Sequence, residues 1–230
     1  MGGIKVKICG LKREVDIKMC MKFGVDILGF VTEYPLPVPW NLSRAESSHL
    51  LNLVQPPHRS SIVTGGTPEK VIELAASLHP SIVQLHYNET LEDTIIISDA
   101  LRELNIDVIK TVPPLMEDRI LQFGTPDLEI IVSELCKTNV YGLLADSRVP
   151  SNASESGSEL DLRFCKQIIN LSSKPVIIAG GIYSDNVRSL VIQTGARFID
   201  VMTGVERSPG EKDARLLSLL LSSLRNLEMQ

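Results

Sequence analysis

Apolar residues return along this chain in two alternating rhythms. Short runs rich in Val, Ile and Leu are separated by longer stretches in which apolar positions recur at helical spacing. The short runs predict strands at Ile4–Ile8, Asp26–Val31, Ser60–Thr64, Ile82–Leu85, Asp107–Thr111, Tyr141–Ala145, Pro175–Ala179 and Phe198–Val201. The longer stretches predict helices at 12–23, 43–53, 67–78, 90–104, 115–123, 159–171, 184–194 and 211–225. Thr67-Pro68-Glu69 supports one helix start, an N-cap followed by proline at the first helical position, and Ser184-Asp185 precedes another. Segment 124–138 fits no simple strand–helix unit; it either extends the fifth helix or adds a short one.

Eight strand–helix units argue for a sheet closed on itself, an α/β fold of the (β/α)8 TIM-barrel type, over an open doubly wound sheet of fewer strands. The length of 230 residues falls in the roughly 200–250 typical of such a barrel, so residues 1–230 are expected to form one barrel domain. No glycine-rich dinucleotide fingerprint opens a helix, which speaks against a nicotinamide-binding Rossmann unit. Hydrophobic residues at 43% and charged residues at 22% suit a buried core with a mixed-charge surface. A net charge of −5 lacks the basic footprint of a nucleic-acid binder.

Apolar runs such as LLSLLLSSL from Leu216 are too short or too interrupted to cross a bilayer, so no membrane association is expected. The opening MGGIKVKICG lacks the apolar segment of a signal peptide, and its sixth residue, Val, weakens a myristoylation reading. A cytoplasmic location is the expectation. Cys9, Cys20, Cys136 and Cys165 show no paired short spacing, and are expected to be free thiols in a reducing compartment.

In a barrel, residues just past the strand ends converge on one mouth. Here they are Cys9, Thr32, Gln84 to His86, Lys110, Asp146, Gly180-Gly181 and Thr203-Gly204. Cys9, before Gly10, can serve as a base or a nucleophile, or be a buried structural cysteine. Asp146 ends the apolar strand GLLADS, so its carboxylate is expected in the mouth as a candidate acid; a capping or salt-bridging aspartate is the other reading. One base and one acid on separate strands can work on opposite ends of a substrate.

Ile177-Ile178-Ala179-Gly180-Gly181-Ile182, followed by a helix, offers backbone N–H groups without obstructing side chains. With Met202-Thr203-Gly204 it favours a phosphate ester bound after strands seven and eight, although paired glycines also serve tight turns. Gln84 and His86 share one face of their strand. No second histidine lies at ligand spacing, so no metal is expected. Two loops, Thr32–Asn41 with three prolines and Trp40, and the polar Asp146–Ser158, are expected to cover or contact the substrate, a surface insertion being the other reading.

Six motifs, in this order and spacing over nearly the whole chain, resemble the phosphoribosylanthranilate isomerase family of tryptophan biosynthesis. They are KICGLK (Lys7 to Lys12), GVDILGFV from Gly24, VQLHYNE (Val83 to Glu89), LLADS (Leu143 to Ser147), VIIAGGI with Asn186 beyond it, and FIDVMTGVERSPGEKD (Phe198 to Asp213). The resemblance implies a barrel of the ribulose-phosphate-binding type. It also implies an Amadori rearrangement, without cofactor or metal, of N-(5'-phosphoribosyl)anthranilate to 1-(2-carboxyphenylamino)-1-deoxyribulose 5-phosphate. Asp146 would be the acid that opens the sugar ring, Cys9 the base at C2, and Asp200 a supporting group. Gly180, Gly181, Thr203 and Gly204 would hold the phosphate of this small metabolite. The family contains monomers and dimers, so a homodimer is open to this chain.

The chain departs from the family pattern in three places. Val38-Pro39-Trp40 replaces Ser-Pro-Arg, so an indole stands where a cation holds the anthranilate; Arg44 is a candidate substitute, or a solvated charge at a helix start. Glu155-Ser156-Gly157-Ser158 replaces Gly-Gly-Thr-Gly. Met202 replaces Ser and Tyr87 replaces Gly, which should narrow the mouth. Two further readings therefore accompany the first: the same chemistry on another N-linked ribose phosphate, with Trp40 stacking on its ring, or a non-catalytic barrel that binds a phosphorylated ligand.

Overall fold

The computed structural model describes residues 3–146 and 161–228. The Asp146–Ser158 loop beyond its first residue, including 155–158, and the start of the helix predicted from 159 lie outside the described residues. Strands β1 (Lys5–Ile8), β2 (Ile27–Val31), β3 (Arg59–Thr64), β4 (Ile82–Leu85), β5 (Asp107–Val112), β6 (Gly142–Asp146), β7 (Val176–Ala179) and β8 (Phe198–Val201) pair in parallel in sequence order. The sheet closes where β8 returns to β1, with Lys7 opposite Asp200. The eight-stranded TIM barrel is thus the observed fold, with strand limits within a residue or so of those expected.

Residues of one strand alternate between the helix layer and the barrel interior. Outward Ile8, Leu28, Phe30, Ile62, Val83, Leu85, Val108, Leu143, Ile178 and Ile199 join the large core shared with the helices. Inward Ile27, Ile82, Ile109, Leu144, Ile177, Ala179 and Phe198 form an apolar floor. Above it the interior turns polar, with Lys7, Ser61, Gln84 and Asp200 all buried. Cys9, Val31 and Val63 then line the top with Tyr34 and Trp40. Branched apolar residues usually fill such layers, so a polar middle layer marks the end of the barrel that does chemistry.

The helices are α1 (Glu14–Phe23), α2 (Arg44–Leu51), α3 (Pro68–Leu78), α4 (Leu91–Glu103), α5 (Met116–Phe123), α6 (Leu128–Lys137), α7 (Leu162–Leu171), α8 (Val187–Thr194) and α9 (Ala214–Glu228). Local signals fix their ends. Capping boxes open α2 (Ser43 with Glu46) and α4 (Thr90 with Asp93), and Thr67 caps α3 ahead of Pro68.

Segment 124–138 becomes a separate helix. Gly124, at φ 70°, ends α5, and Asp127 caps α6 by accepting from the N–H groups of Glu129 and Ile130. The helix expected from 211 starts only at Ala214, because a hairpin of β9 (Glu206–Ser208) and β10 (Glu211–Lys212) takes the preceding residues. Its turn needs Gly210, at φ 80°. No described helix is long and apolar enough to cross a membrane.

Candidate active site

The base and acid candidates sit on well-separated strands. Cys9 directly follows β1, its N–H donating to the Val201 carbonyl (2.9 Å), and its side chain packs with Val31, Trp40 and Val63. Burial pushes its thiol up; the Lys7 ammonium opposes that shift, Asp200 adds to it and Lys212 opposes it. Asp146 is the last residue of β6, in register with Ala179 on β7 and only 3% exposed.

Asp146 faces a histidine. His86 Nε2 lies 3.6 Å from Asp146 Oδ2, while Nδ1 is 3.2 Å from Gln84 Nε2 and 3.1 Å from Thr111 Oγ1. With the Gln84 amide nitrogen donating to Nδ1, the ring proton is left on Nε2, which faces Asp146. Below them, Lys7 Nζ donates to Asp200 Oδ2 at 2.6 Å. Gln84 Oε1, Ser61 Oγ and Asp200 Oδ1, all in the polar layer, are buried without hydrogen-bond partners.

Backbone lines the other side of the mouth. Gly180 (φ 89°) and Gly181 (φ 59°) adopt left-handed conformations after β7. Asn186, at the start of α8, fixes that turn by donating to the Gly181 carbonyl (2.7 Å) and accepting from the Tyr183 N–H (2.8 Å). Thr203–Val205 form one 3-10 turn after β8. A Cβ on Gly204 would run into the Ile182 carbonyl oxygen, so the two turns touch only because this residue is glycine. Two glycine turns beside a helix N-terminus suit an anion.

Several expected positions differ. Thr32 and Lys110 do not point into the mouth: Thr32 Oγ1 bonds Ser47 Oγ of α2 at 2.9 Å, and buried Lys110 bonds Gln122 Oε1 (3.0 Å) and Glu89 Oε2 (3.3 Å). Strand parity is the reason. Val31 takes the inward place on β2, and Ile109 and Thr111 take those on β5. Arg44 is held by Glu33 (3.2 Å) and Glu73 (2.7 Å), carboxylates that neutralise it where it stands.

Trp40 offers no open stacking face. It is 3% exposed, and its Nε1 donates to Glu206 Oε1 at 2.9 Å. The same oxygen accepts from Lys212 Nζ (2.7 Å) and the Gly210 N–H (3.1 Å), tying the Thr32–Asn41 loop to the β9–β10 hairpin. On the far side of that loop the Tyr34 hydroxyl donates to the His86 carbonyl (2.6 Å), and its ring meets Tyr87 edge-on with centroids 6.2 Å apart.

Glycines make room for the bulky departures. A Cβ on Gly10 would lie 2.8 Å from Trp40 and 3.0 Å from Met202, and one on Gly65 would collide with Tyr87. Lys7, Tyr34, Thr111, Glu206 and Lys212 therefore belong to the site's surroundings without having been singled out from the sequence. Lys7 carried a usable signal: strand alternation puts it on the same face as Cys9. Glu206 and Lys212 carried none, since only the hairpin brings them to Trp40.

Comparison with known proteins agrees with this geometry. The family model for N-(5'-phosphoribosyl)anthranilate (PRA) isomerase matches residues 6–223. N-(5'-phosphoribosyl)anthranilate isomerase of Methanosarcina acetivorans is 28% identical over 226 residues, covering 96% of this chain and 93% of the relative. The crystal structure of the Thermotoga maritima phosphoribosyl anthranilate isomerase superimposes with a TM-score of 0.79 at 24% identity, covering 97% and 99% of the two chains. Another such isomerase, solved with reduced 1-(o-carboxyphenylamino)-1-deoxyribulose 5-phosphate, gives 0.75 at 22% identity, covering 97% of this chain and 99% of its own. By its sequence this chain belongs to the N-(5'-phosphoribosyl)anthranilate isomerase family of enzymes.

Proposed function

We propose that this protein catalyses the Amadori rearrangement of N-(5'-phosphoribosyl)anthranilate, with Asp146 as general acid and Cys9 as general base. The observation that carries the reading is the placement of a thiol and a carboxyl at the ends of separate strands, β1 and β6, at the same mouth as the glycine turns after β7 and β8. Gly180, Gly181, Thr203 and Gly204 would anchor the 5-phosphate, which fixes the ribose between acid and base. The isomerase solved with reduced 1-(o-carboxyphenylamino)-1-deoxyribulose 5-phosphate supports a ligand of this class.

The proton balance follows from those places. Asp146 gives its proton to the ring oxygen as the C1–O bond breaks, and the anthranilate nitrogen lone pair forms an iminium with C1. The Cys9 thiolate removes the C2 proton, and that electron pair becomes the C1–C2 double bond while the nitrogen regains its lone pair. The enolamine then loses its O2 proton and gains one at C1, giving the ketone. Asp146 ends one proton short and Cys9 one proton richer, so exchange with solvent resets both. His86 Nε2–H faces the carboxylate that Asp146 becomes.

Loss of phosphoribosylanthranilate fluorescence tests the reading directly. Cys9→Ser and Asp146→Asn are each expected to lower turnover by about 10²–10⁴-fold, the usual worth of a positioned acid or base, with the fold retained. One observation favours a second reading. An indole occupies position 40, and Arg44 is neutralised by Glu33 and Glu73, so an N-linked ribose phosphate lacking the anthranilate carboxylate is the alternative substrate. Absence of turnover by folded wild-type protein would transfer the weight to it.

A further inference from the structure

A lysine buried in the middle of a barrel interior is an expensive residue, and Lys7 is among the largest fully buried side chains of the described residues. An apolar side chain of similar volume would fill the same space without desolvating a charge. We propose that Lys7 is the positioning residue of the base: its ammonium, held by Asp200 beneath Cys9, stabilises the Cys9 thiolate that removes the C2 proton. This rests on the reading of Cys9 as the base.

Three pieces of geometry carry the proposal. Lys7 and Cys9 are two residues apart at the C-terminal end of β1, so both project inward. The Lys7 ammonium is fixed by Asp200 Oδ2 at 2.6 Å across the β1–β8 seam, where the two residues stand in register. Gly29 on β2 leaves open the space beside both. A Cβ there would lie 3.0 Å from Cys9 Sγ and 3.1 Å from Lys7 Cε, so one missing methyl group lets the thiol and the lysine stem share one pocket.

The charges around Cys9 come from three strands. Lys7 lies on its own strand, Asp200 on β8 and Lys212 on β10, with the phenols of Tyr34 and Tyr87 at the rim of its cluster. Lys212 is engaged by Glu206 (2.7 Å) and the Met202 carbonyl (3.2 Å). Asp200 repels a thiolate but spends Oδ2 on Lys7. Burial opposes the charge on Lys7, yet Asp200 and Cys9 outweigh it and hold the ammonium above its ordinary value. Lys7 is also the group that most opposes the upward push of burial on Cys9. With little water between the two, the attraction is weakly screened.

The test is the ultraviolet absorbance of the Cys9 thiolate against pH, taken as the difference between each protein and its Cys9→Ser counterpart. Lys7→Met is expected to move the midpoint up by about 1–3 pH units, the effect of removing an opposite charge at contact distance. The rising limb of kcat/KM against pH should move with it, and Lys7→Arg should restore most of the shift. Asp200→Asn, which leaves the ammonium to the thiolate alone, is expected to move the midpoint down. An unmoved midpoint in folded Lys7→Met overturns the proposal. If that variant does not fold, an unmoved or raised midpoint in Asp200→Asn overturns it instead. The titration needs no turnover, so full activity in Cys9→Ser would separately sink the base reading.

Discussion

Side chains larger than the family pattern expects crowd this mouth, and each is matched by a glycine. Trp40 and Met202 close over Gly10, and Tyr87 over Gly65. The indole is fastened as well as packed, through Nε1 to a Glu206 carboxylate that also holds Lys212 and Gly210. Trp40→Phe keeps most of the packing and removes that one bond. A hydrogen bond to a charged group contributes about 1.5–3 kcal/mol, so a loss near the lower end of that range is expected in denaturant unfolding, because Glu206 keeps two partners. Gly204→Ala drives a methyl group against the Ile182 carbonyl. Its expected cost is about 1–3 kcal/mol from overpacking, together with loss of the thermal stabilisation that inorganic phosphate is expected to give the wild type. Stabilisation by phosphate that survived this change would place the anion elsewhere.

Helix α5 reverses the usual distribution of its faces. Met116, Ile120 and Leu121 are 58%, 51% and 62% exposed, whereas Arg119 and Gln122 are buried. Gln122 is buried because Lys110, an outward residue of β5, needs an acceptor besides Glu89. Gln122→Ala is expected to cost about 1–3 kcal/mol by leaving a buried ammonium short of a partner, while Leu121→Lys on the exposed face should stay within about 0.5 kcal/mol. Equal costs in the two variants would contradict this account. The same reversal explains what sequence reading missed. The strands were legible because burial on both faces makes runs such as ILGFV of β2, GLLAD of β6 and VIIA of β7 nearly continuous in apolar residues. Segment 124–138 was not, since the apolar pattern of α5 marks no buried face and only residues 124–127, with the Gly124 stop and the Asp127 cap, separate it from α6. Parity within a strand is equally hard to read. The end of β2 falls at Val31 as expected and that of β5 one residue beyond the expected Thr111, yet knowing where a strand ends does not fix its parity, and parity turns Thr32 and Lys110 outward and Thr111 inward.

Two thiols couple the stability of the whole barrel to pH. Cys20 of α1 and Cys165 of α7 are fully buried in the core shared by strands and helices. Burial pushes both thiols from an ordinary 9.0 up to about 12. The folded chain therefore keeps protons that the unfolded chain releases. Their contribution is complete below pH 9 and is lost as pH rises from 9 toward 12, with a slope of about 1.4 kcal/mol per pH unit for each thiol. Cys9 shifts in the same direction. Lys7 also has a raised value, and its contribution, present below 10.5, is lost only as pH climbs through that higher value, so it adds to the same decline from 10.5 upward. Urea unfolding from pH 8 to 11 should accordingly show falling stability on the alkaline side. Replacing Cys20 and Cys165 together by alanine should lower stability near neutrality through lost packing and flatten the alkaline fall by about two protons' worth of slope. Packing alone would lower the curve by the same amount at every pH. A parallel displacement would therefore mean that these thiols ionise alike in both states, whereas convergence of the two curves as pH rises is the signature of protons held by the core.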